Sequence, residues 1–267
     1  MIGLAWYGGK LSYLGWLLPL LPESHHFCEP FSGSAAVLLN RSPSPIETYN
    51  DLDGEVVNFF RMLRDDTDEL IRLIKLTPVS REEFRKSCNI SSELSNLERA
   101  RLFFVRLRQS RFAKRRTTQG DWRWSVGSSA KGMSAVASSW IHSIDGLLYI
   151  ATRLLRVQIE NRPALEVIRS YDSIGTLFYC DPPYPTESRV TKNVFGCEMS
   201  DEDHIELWAT LSRLRGKVAI SGYRCDLMDS LYKGWGLNEA DHVFSGSTQT
   251  TKNKDRVKKS ECLWMNY

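Results

Sequence analysis

Apolar and polar positions along this chain fall into short buried runs separated by amphipathic stretches, with one long basic segment between them. His26-Phe27-Cys28-Glu29 reads as a short buried strand ended by Pro30. The small-residue turn Ser32-Gly33-Ser34 follows, and Ala35 to Leu39 continues as a helix. Ile46 to Asn50 reads as the next strand, with Asp51 at its carboxyl end, and Gly54 to Leu63 is again helical. Strand, turn, helix and strand in that order begin a doubly wound sheet.

The pattern resumes late in the chain. Thr176 to Cys180 is a continuous apolar run, as expected of a parallel strand covered on both faces. Ser200 and Asp203 have the spacing of a capping box, a short acid standing in for Glu. Leu207, Leu211 and Leu214 then share one helix face, and Gly216 ends it. Lys217 to Ser221 and Glu261 to Tyr267 read as further strands. Between these halves, from about Asp65 to Ala151, the spacing is helical and the character basic. Within it, Gln119-Gly120-Asp121 followed by Trp122-Arg123-Trp124 predicts a β-hairpin across Lys114 to Ser125. The expected fold is therefore α/β, a sheet with helices on both faces, plus a mainly helical insert carrying a β-hairpin. Its core would be residues 1–64 and 152–267, and its insert residues 65–151.

Composition narrows this little: 42% apolar and 25% charged residues over 267 positions are ordinary for a globular chain and exclude collagen-like or disordered classes. No apolar run reaches the roughly 18 residues needed to span a bilayer, and the first ten residues do not resemble a secretion signal. A cytoplasmic protein without membrane association is expected. Cys28, Cys88, Cys180, Cys197, Cys225 and Cys262 form no C-x-x-C pair, and neither they nor the His25-His26 pair show metal-ligand spacing. Reduced thiols and no metal are expected.

Charge changes the picture more. Between Arg99 and Lys131 lie ten basic residues and one acid, Asp121, so a chain of net +3 carries +9 there and −6 elsewhere. Such asymmetry points to a polyanion meeting one region. Arg111, Lys114, Arg115, Arg116 and Arg123 are the candidate nucleic-acid contacts, with the hairpin near Arg115, Arg116 and Arg123 the candidate for base reading in the major groove.

Three motifs carry candidate chemistry. Asp181-Pro182-Pro183-Tyr184 follows directly on a buried strand, where open α/β sheets bind ligands. Two prolines fix φ and remove two N–H donors, leaving the Pro182 carbonyl as an acceptor. A carboxylate and a carbonyl facing one point suit an NH2 group, which has two protons to give. Tyr184 adds a face for stacking a planar base, worth about 1–3 kcal/mol. A rigid turn would use the same prolines. Glu29-Pro30-Phe31-Ser32-Gly33-Ser34 is a glycine turn after the first strand, and Asp51, eighteen residues beyond Gly33, is placed to hold ribose hydroxyls. Trp6-Tyr7-Gly8-Gly9-Lys10 is not a phosphate loop, since Leu4 stands where its first glycine belongs.

In this order the three motifs resemble the Dam-type DNA adenine N6-methyltransferases (D12 class, alpha group). That family carries W-x-G-G-K near its start, an acidic-Pro-Phe-x-G-x-[GA] loop, an acid after the second strand, and D-P-P-Y. Here these are Trp6–Lys10, Glu29–Ala35, Asp51 and Asp181–Tyr184. The resemblance implies a Rossmann-like sheet that uses S-adenosyl-L-methionine, with Trp6, Lys10, Asp51 and Asp181 contacting the cofactor and Phe31 and Gly33 lining its pocket. It implies that Asp181, Pro182, Pro183 and Tyr184 are catalytic and that residues 65–151 recognise double-stranded DNA. Such members can also have a cognate restriction endonuclease as partner. Two departures stand out. Ile159 to Leu165 lacks the aspartate that the family often carries near the cofactor's adenine, and the insert lacks the G-x-F-N-x-P-x-G-x-Y hairpin of GATC-methylating members.

A base inside a duplex cannot reach such a site, so the adenine would flip out of the stack. Asp181 and the Pro182 carbonyl would accept the N6 hydrogens, aim the lone pair at the methyl group, and stabilise the charge that develops on N6. Pro185 to Met199 is a loop over the flipped base or a long connection. Three alternatives use the same scaffold: cytosine N4 as acceptor, adenine in RNA as acceptor, or a catalytically silent nucleic-acid-binding protein.

Overall fold

The computed structural model describes residues 4, 9–111, 119–188, 198–240 and 260–267. Helix α1 (Leu14–Leu17) leads into β1 (His26–Glu29), α2 (Ala36–Asn40), β2 (Ile46–Asn50) and α3 (Gly54–Asp65), the order the hydrophobic pattern predicts. Four helices follow, α4 (Thr67–Leu76), α5 (Arg81–Cys88), α6 (Asn96–Gln109) and, after the two-residue strands β3 (Ser129–Ala130) and β4 (Met133–Ser134), α7 (Ala135–Ile144). Helix α8 (Leu147–Leu154) returns the chain to β5 (Gln158–Glu160), α9 (Ala164–Ser170) and β6 (Thr176–Cys180). The last elements are α10 (Asp201–Leu211), β7 (Lys217–Gly222), α11 (Asp226–Leu231), β8 (Gly236–Glu239) and β9 (Cys262–Met265).

Seven strands form one sheet in the order β5-β2-β1-β6-β7-β9-β8. The first five run parallel, and β9 lies antiparallel between β7 and β8. The central strands β1 and β6 are buried at every position. Successive side chains of a strand face opposite ways, and β6 divides accordingly. Leu177 and Tyr179 join the core that holds Leu38, Val56 and Phe60, whereas Phe178 and Cys180 join the one that holds Val218, Ile220, Leu207 and Leu211. Two apolar faces demand two helical layers, and the chain supplies them.

Several local rules work as read. The Ser200 hydroxyl accepts from Asp203 N at 3.2 Å while Asp203 Oδ2 accepts from Ser200 N at 2.7 Å, which closes the capping box at the start of α10. Asp53 caps α3, accepting from Glu55 N at 3.0 Å. The edge strands β5 and β8 escape the hydrophobic pattern because they are short and only partly covered.

The hairpin differs from expectation. Residues 112–118 lie outside the described residues, and Gln119–Asp121 is a single 3-10 turn. Trp122 pairs antiparallel with Ser110, just beyond α6, with Arg111 N donating to Asp121 O at 2.9 Å and Arg123 N to Gln109 O at 2.8 Å. A regular hairpin does form, but later, as β3 and β4. Lys131 and Gly132 turn it at φ 52° and 75°, as a tight turn with two left-handed residues requires.

The basic segment is also less available than its count implies. Arg101 is buried in ion pairs with Glu83 at 2.7 Å and Glu98 at 2.6 Å, and Arg99 pairs with Glu55 of α3. Arg106 is buried against the Phe103 ring. Helix α6 thus spends its arginines on its own packing, and the exposed cations among the described residues of the segment are Arg111, Arg123 and Lys131. No described helix is long and apolar enough to cross a membrane.

Candidate active site

From β1 the chain steps to β2 on one side, while β6 pairs on the other, so β1 and β6 flank the switch point where open sheets bind ligands. The loop after β1 is fastened before any ligand arrives. Gly33 and Ala35 both take left-handed backbone, at φ 49° and 55°. Ser32 N donates to Asn50 O at 2.9 Å and the Tyr49 hydroxyl to Gly33 O at 3.0 Å. Asp51, in the place read for a ribose-holding acid, accepts from Gly33 N at 2.8 Å and from Asp53 N at 2.7 Å. Asn50 reaches further: its amide donates to Pro30 O at 2.8 Å and to Arg162 O at 3.1 Å. The loops after β1, β2 and β5 are therefore one hydrogen-bonded rim. Phe31 packs partly buried against the core beneath it.

The loop after β6 carries the other half. Pro182 is buried and Asp181 half-buried, its side chain 20% exposed. Lys10, presented by a short 3-10 turn after Gly9, puts Nζ 2.7 Å from Asp181 Oδ1 and 3.2 Å from Glu261 Oε1. The same ammonium donates to the Tyr184 hydroxyl at 2.7 Å, and that hydroxyl is 3.0 Å from Asp181 Oδ1 and hydrogen-bonded to Glu261. The Tyr184 ring meets Tyr223, just past β7, edge to face at 5.0 Å.

Electrostatics follow from this crowding. Burial alone would push the Lys10 ammonium down, but Asp181 and Glu261 outweigh it and hold its pKa above the ordinary lysine value. Burial raises the Glu261 carboxyl, with Lys10 opposing and Asp181 adding. Burial also drives Glu29 well above the usual carboxylate range, although Leu38 N donates to it at 3.1 Å. Burial first, then the Asp181 and Glu261 charges, raise the Tyr184 phenol, so it stays a neutral donor.

The structure thus brings Gly33 and Asp51 together on one side, and Lys10, Asp181 and Tyr184 on the other. Arg111 and Arg123 come together separately, flanking the Ser110–Trp122 bridge, both exposed. Trp6, Lys114, Arg115 and Arg116 lie outside the described residues, as does most of the stretch between Pro185 and Met199. Sequence reasoning missed Glu261. Its signal was modest: an acid opening a strand that is otherwise apolar, which is an expensive place for a charge without a partner.

Comparison with known proteins bears on what this geometry acts upon. The sequence model of the D12 class N6 adenine-specific DNA methyltransferases matches residues 6–245. The chain belongs to this family. It is also similar to the Type II methyltransferase M1.LlaDCHI of Lactococcus lactis subsp. cremoris, 26% identical over 277 residues that cover 98% of this chain and 94% of that protein. The reaction is therefore methylation of N6 of adenine in DNA. For a D12 methyltransferase the layout makes chemical sense. The acceptor is an exocyclic NH2, which offers two protons, and the carboxylate at the end of β6 can accept one of them. The seven-stranded, mostly parallel sheet with helices on both faces is the Rossmann-like architecture the resemblance implied.

Proposed function

We propose that this DNA adenine methyltransferase takes its methyl group from S-adenosyl-L-methionine and transfers it directly to a flipped-out adenine held by Asp181, the Pro182 carbonyl and the Tyr184 ring. The observation that carries this reading is the Asp181 carboxylate, half-buried at the carboxyl end of β6 and ion-paired to Lys10 at 2.7 Å. S-adenosyl-L-methionine supplies, when bound, a methyl group on a cationic sulfur. The residues suit such a donor. Asp51 sets a carboxylate beside the left-handed backbone of Gly33, a combination that accommodates ribose hydroxyls at close range. Asp181 and Glu261 both lie against the Lys10 ammonium, two carboxylates to one cation, a balance that favours a further positive charge. Lys10, Phe31 and Trp6 complete the cofactor set, and Asp181 accepts an N6 hydrogen without forming a covalent bond.

Residues 1–64 and 152–267 serve as the catalytic domain and 65–151 as the DNA-recognition insert. Arg111 and Arg123 grip phosphates, with Lys114, Arg115 and Arg116 beside them in sequence. The setting is cytoplasmic, and the type II designation in the relative's name supports a cognate restriction endonuclease as partner.

Transfer from methyl-labelled S-adenosyl-L-methionine to unmethylated genomic DNA, followed by digestion and separation of the nucleosides, tests the donor and acceptor together. Label in N6-methyladenine is the expected result. Label in N4-methylcytosine would change the acceptor, and no label from this donor would remove the cofactor assignment.

Two variants test the outer parts of the site. Asp51→Ala removes a charged acceptor at the rim and should weaken donor binding by about 10²-fold, while turnover at saturating donor falls far less. An unchanged dissociation constant would take Asp51 out of the cofactor site. Replacing Arg111 and Arg123 together by alanine should reduce the slope of log binding constant against log salt by about 2. An unaltered slope would mean that neither arginine neutralises a phosphate.

A further inference from the structure

We infer that Glu261 is a positioning residue for methyl transfer: it draws Lys10 and the Tyr184 hydroxyl away from Asp181, so that the Asp181 oxygen they occupy is released to the adenine amino group. The inference rests on Asp181 being the acceptor for N6.

The geometry sets the problem. A carboxylate oxygen accepts about two hydrogen bonds. Asp181 Oδ1 already has Lys10 Nζ at 2.7 Å and the Tyr184 hydroxyl at 3.0 Å. An incoming N–H that takes this oxygen rather than Oδ2 must displace one of them, and a displaced donor in so buried a place needs another acceptor. Glu261 is that acceptor. Its side chain is 2% exposed, its Oε1 lies 3.2 Å from Lys10 Nζ, and it is hydrogen-bonded to the Tyr184 hydroxyl. The phenol has one proton and two carboxylates within reach, so passing it wholly to Glu261 frees Asp181 and leaves no donor orphaned.

Charge works in the same direction. Lys10 shared between two carboxylates neutralises neither of them fully. Without the Glu261 charge, the ammonium would pair with Asp181 alone and weaken it as an acceptor for the positive charge developing on N6. Glu261 directly precedes the last strand, β9, which lies next to β7, whereas Asp181 leaves β6. The sheet order therefore brings residues eighty positions apart in sequence to one ammonium.

The test uses the full chain and three variants. Glu261→Gln keeps size and an acceptor oxygen but removes the charge, and should lower kcat by about 10²-fold. Thermal unfolding and binding of S-adenosyl-L-methionine should change little. Glu261→Asp keeps the charge on a shorter arm and should retain clearly more kcat than Glu261→Gln, whereas a residue that merely fills space would suffer more from shortening than from neutralisation. Adding Tyr184→Phe to Glu261→Gln removes one donor from Asp181 and should recover part of the lost kcat. Near-native kcat for Glu261→Gln, an aspartate variant no better than the glutamine one, or a double variant slower than Glu261→Gln alone would each overturn the inference. Asp181→Ala measured alongside separates the two claims: if that variant stays active, the acceptor assignment itself is wrong.

Discussion

Asp181→Ala is expected to reduce methyl transfer by about 10³-fold or more, with DNA binding at fixed salt changed only a few-fold. On the proposed reading the carboxylate holds the N6 amino group, and an alanine offers no acceptor for its proton and no charge to match the cation that forms. The lost interaction is one made most strongly in the transition state, so kcat falls while KM for DNA moves little. Binding should survive because the arginines proposed to grip phosphates, Arg111 and Arg123, belong to a different segment, beyond α6. Folding should survive too. Asp181 is partly exposed, and Lys10 keeps its second carboxylate, Glu261 at 3.2 Å, so no buried charge is stranded. Asp181→Asn gives an internal comparison: it keeps an acceptor oxygen without the charge and should fall between the native enzyme and the alanine variant. Transfer rates on unmethylated DNA, taken with binding isotherms for the same duplex, decide the matter. Turnover close to native in the alanine variant would remove Asp181 from the chemistry.

What the sequence makes legible, and what it hides, follows from the range of the interactions. The strand β6 is readable because a strand buried on both faces is a continuous apolar run, β1 and β2 because turn residues bound them at Pro30 and Asp51, and the capping box at Ser200 because it spans four residues. The D-P-P-Y turn is readable because proline restricts its own backbone. The place of Asp51 beside Gly33 is readable because it ends a strand. The meeting of Glu261 with Lys10 is not, since it depends on β9 being inserted beside β7, a pairing that no local pattern encodes. The charge of the basic segment misleads for the same reason. Arg99 and Arg101 count toward the +9 of the segment, yet their partners, Glu55 and Glu83, lie on neighbouring helices. The hairpin placed across Lys114 to Ser125 reflects a further limit. A glycine flanked by alternating aromatic and basic residues fits a hairpin turn, but also a 3-10 turn that lets Trp122 pair with the chain just past α6.

The largest stability effect is expected where α8 meets the sheet. Arg153 of α8 forks onto Glu47 of β2, with Nη2 at 2.6 Å from Oε1 and Nη1 paired to the other oxygen, and Nη2 also reaches Leu38 O at 3.0 Å. Glu47 is fully buried, its side chain 0% exposed, and it accepts from Ser44 N at 3.2 Å. Arg156, half-exposed at 3.7 Å, is a weak second partner. Such a pair gains little over apolar residues of the same size, but breaking it from one side leaves a charge without compensation, which costs about 3–5 kcal/mol. Arg153→Met should lower the unfolding free energy by about that amount, equivalent to roughly 10 °C in Tm for a domain of this size. The pairing predicts the sign of a second step. Adding Glu47→Leu removes the stranded charge, so the double variant should be more stable than Arg153→Met alone, by about 2 kcal/mol or more. Denaturant unfolding of the three proteins, read by circular dichroism, tests both steps. A loss under about 1 kcal/mol for Arg153→Met would mean that Arg156 or water takes over Glu47. A double variant less stable than the single one would mean that the link between α8 and β2 depends on the shape of these side chains rather than on their charges.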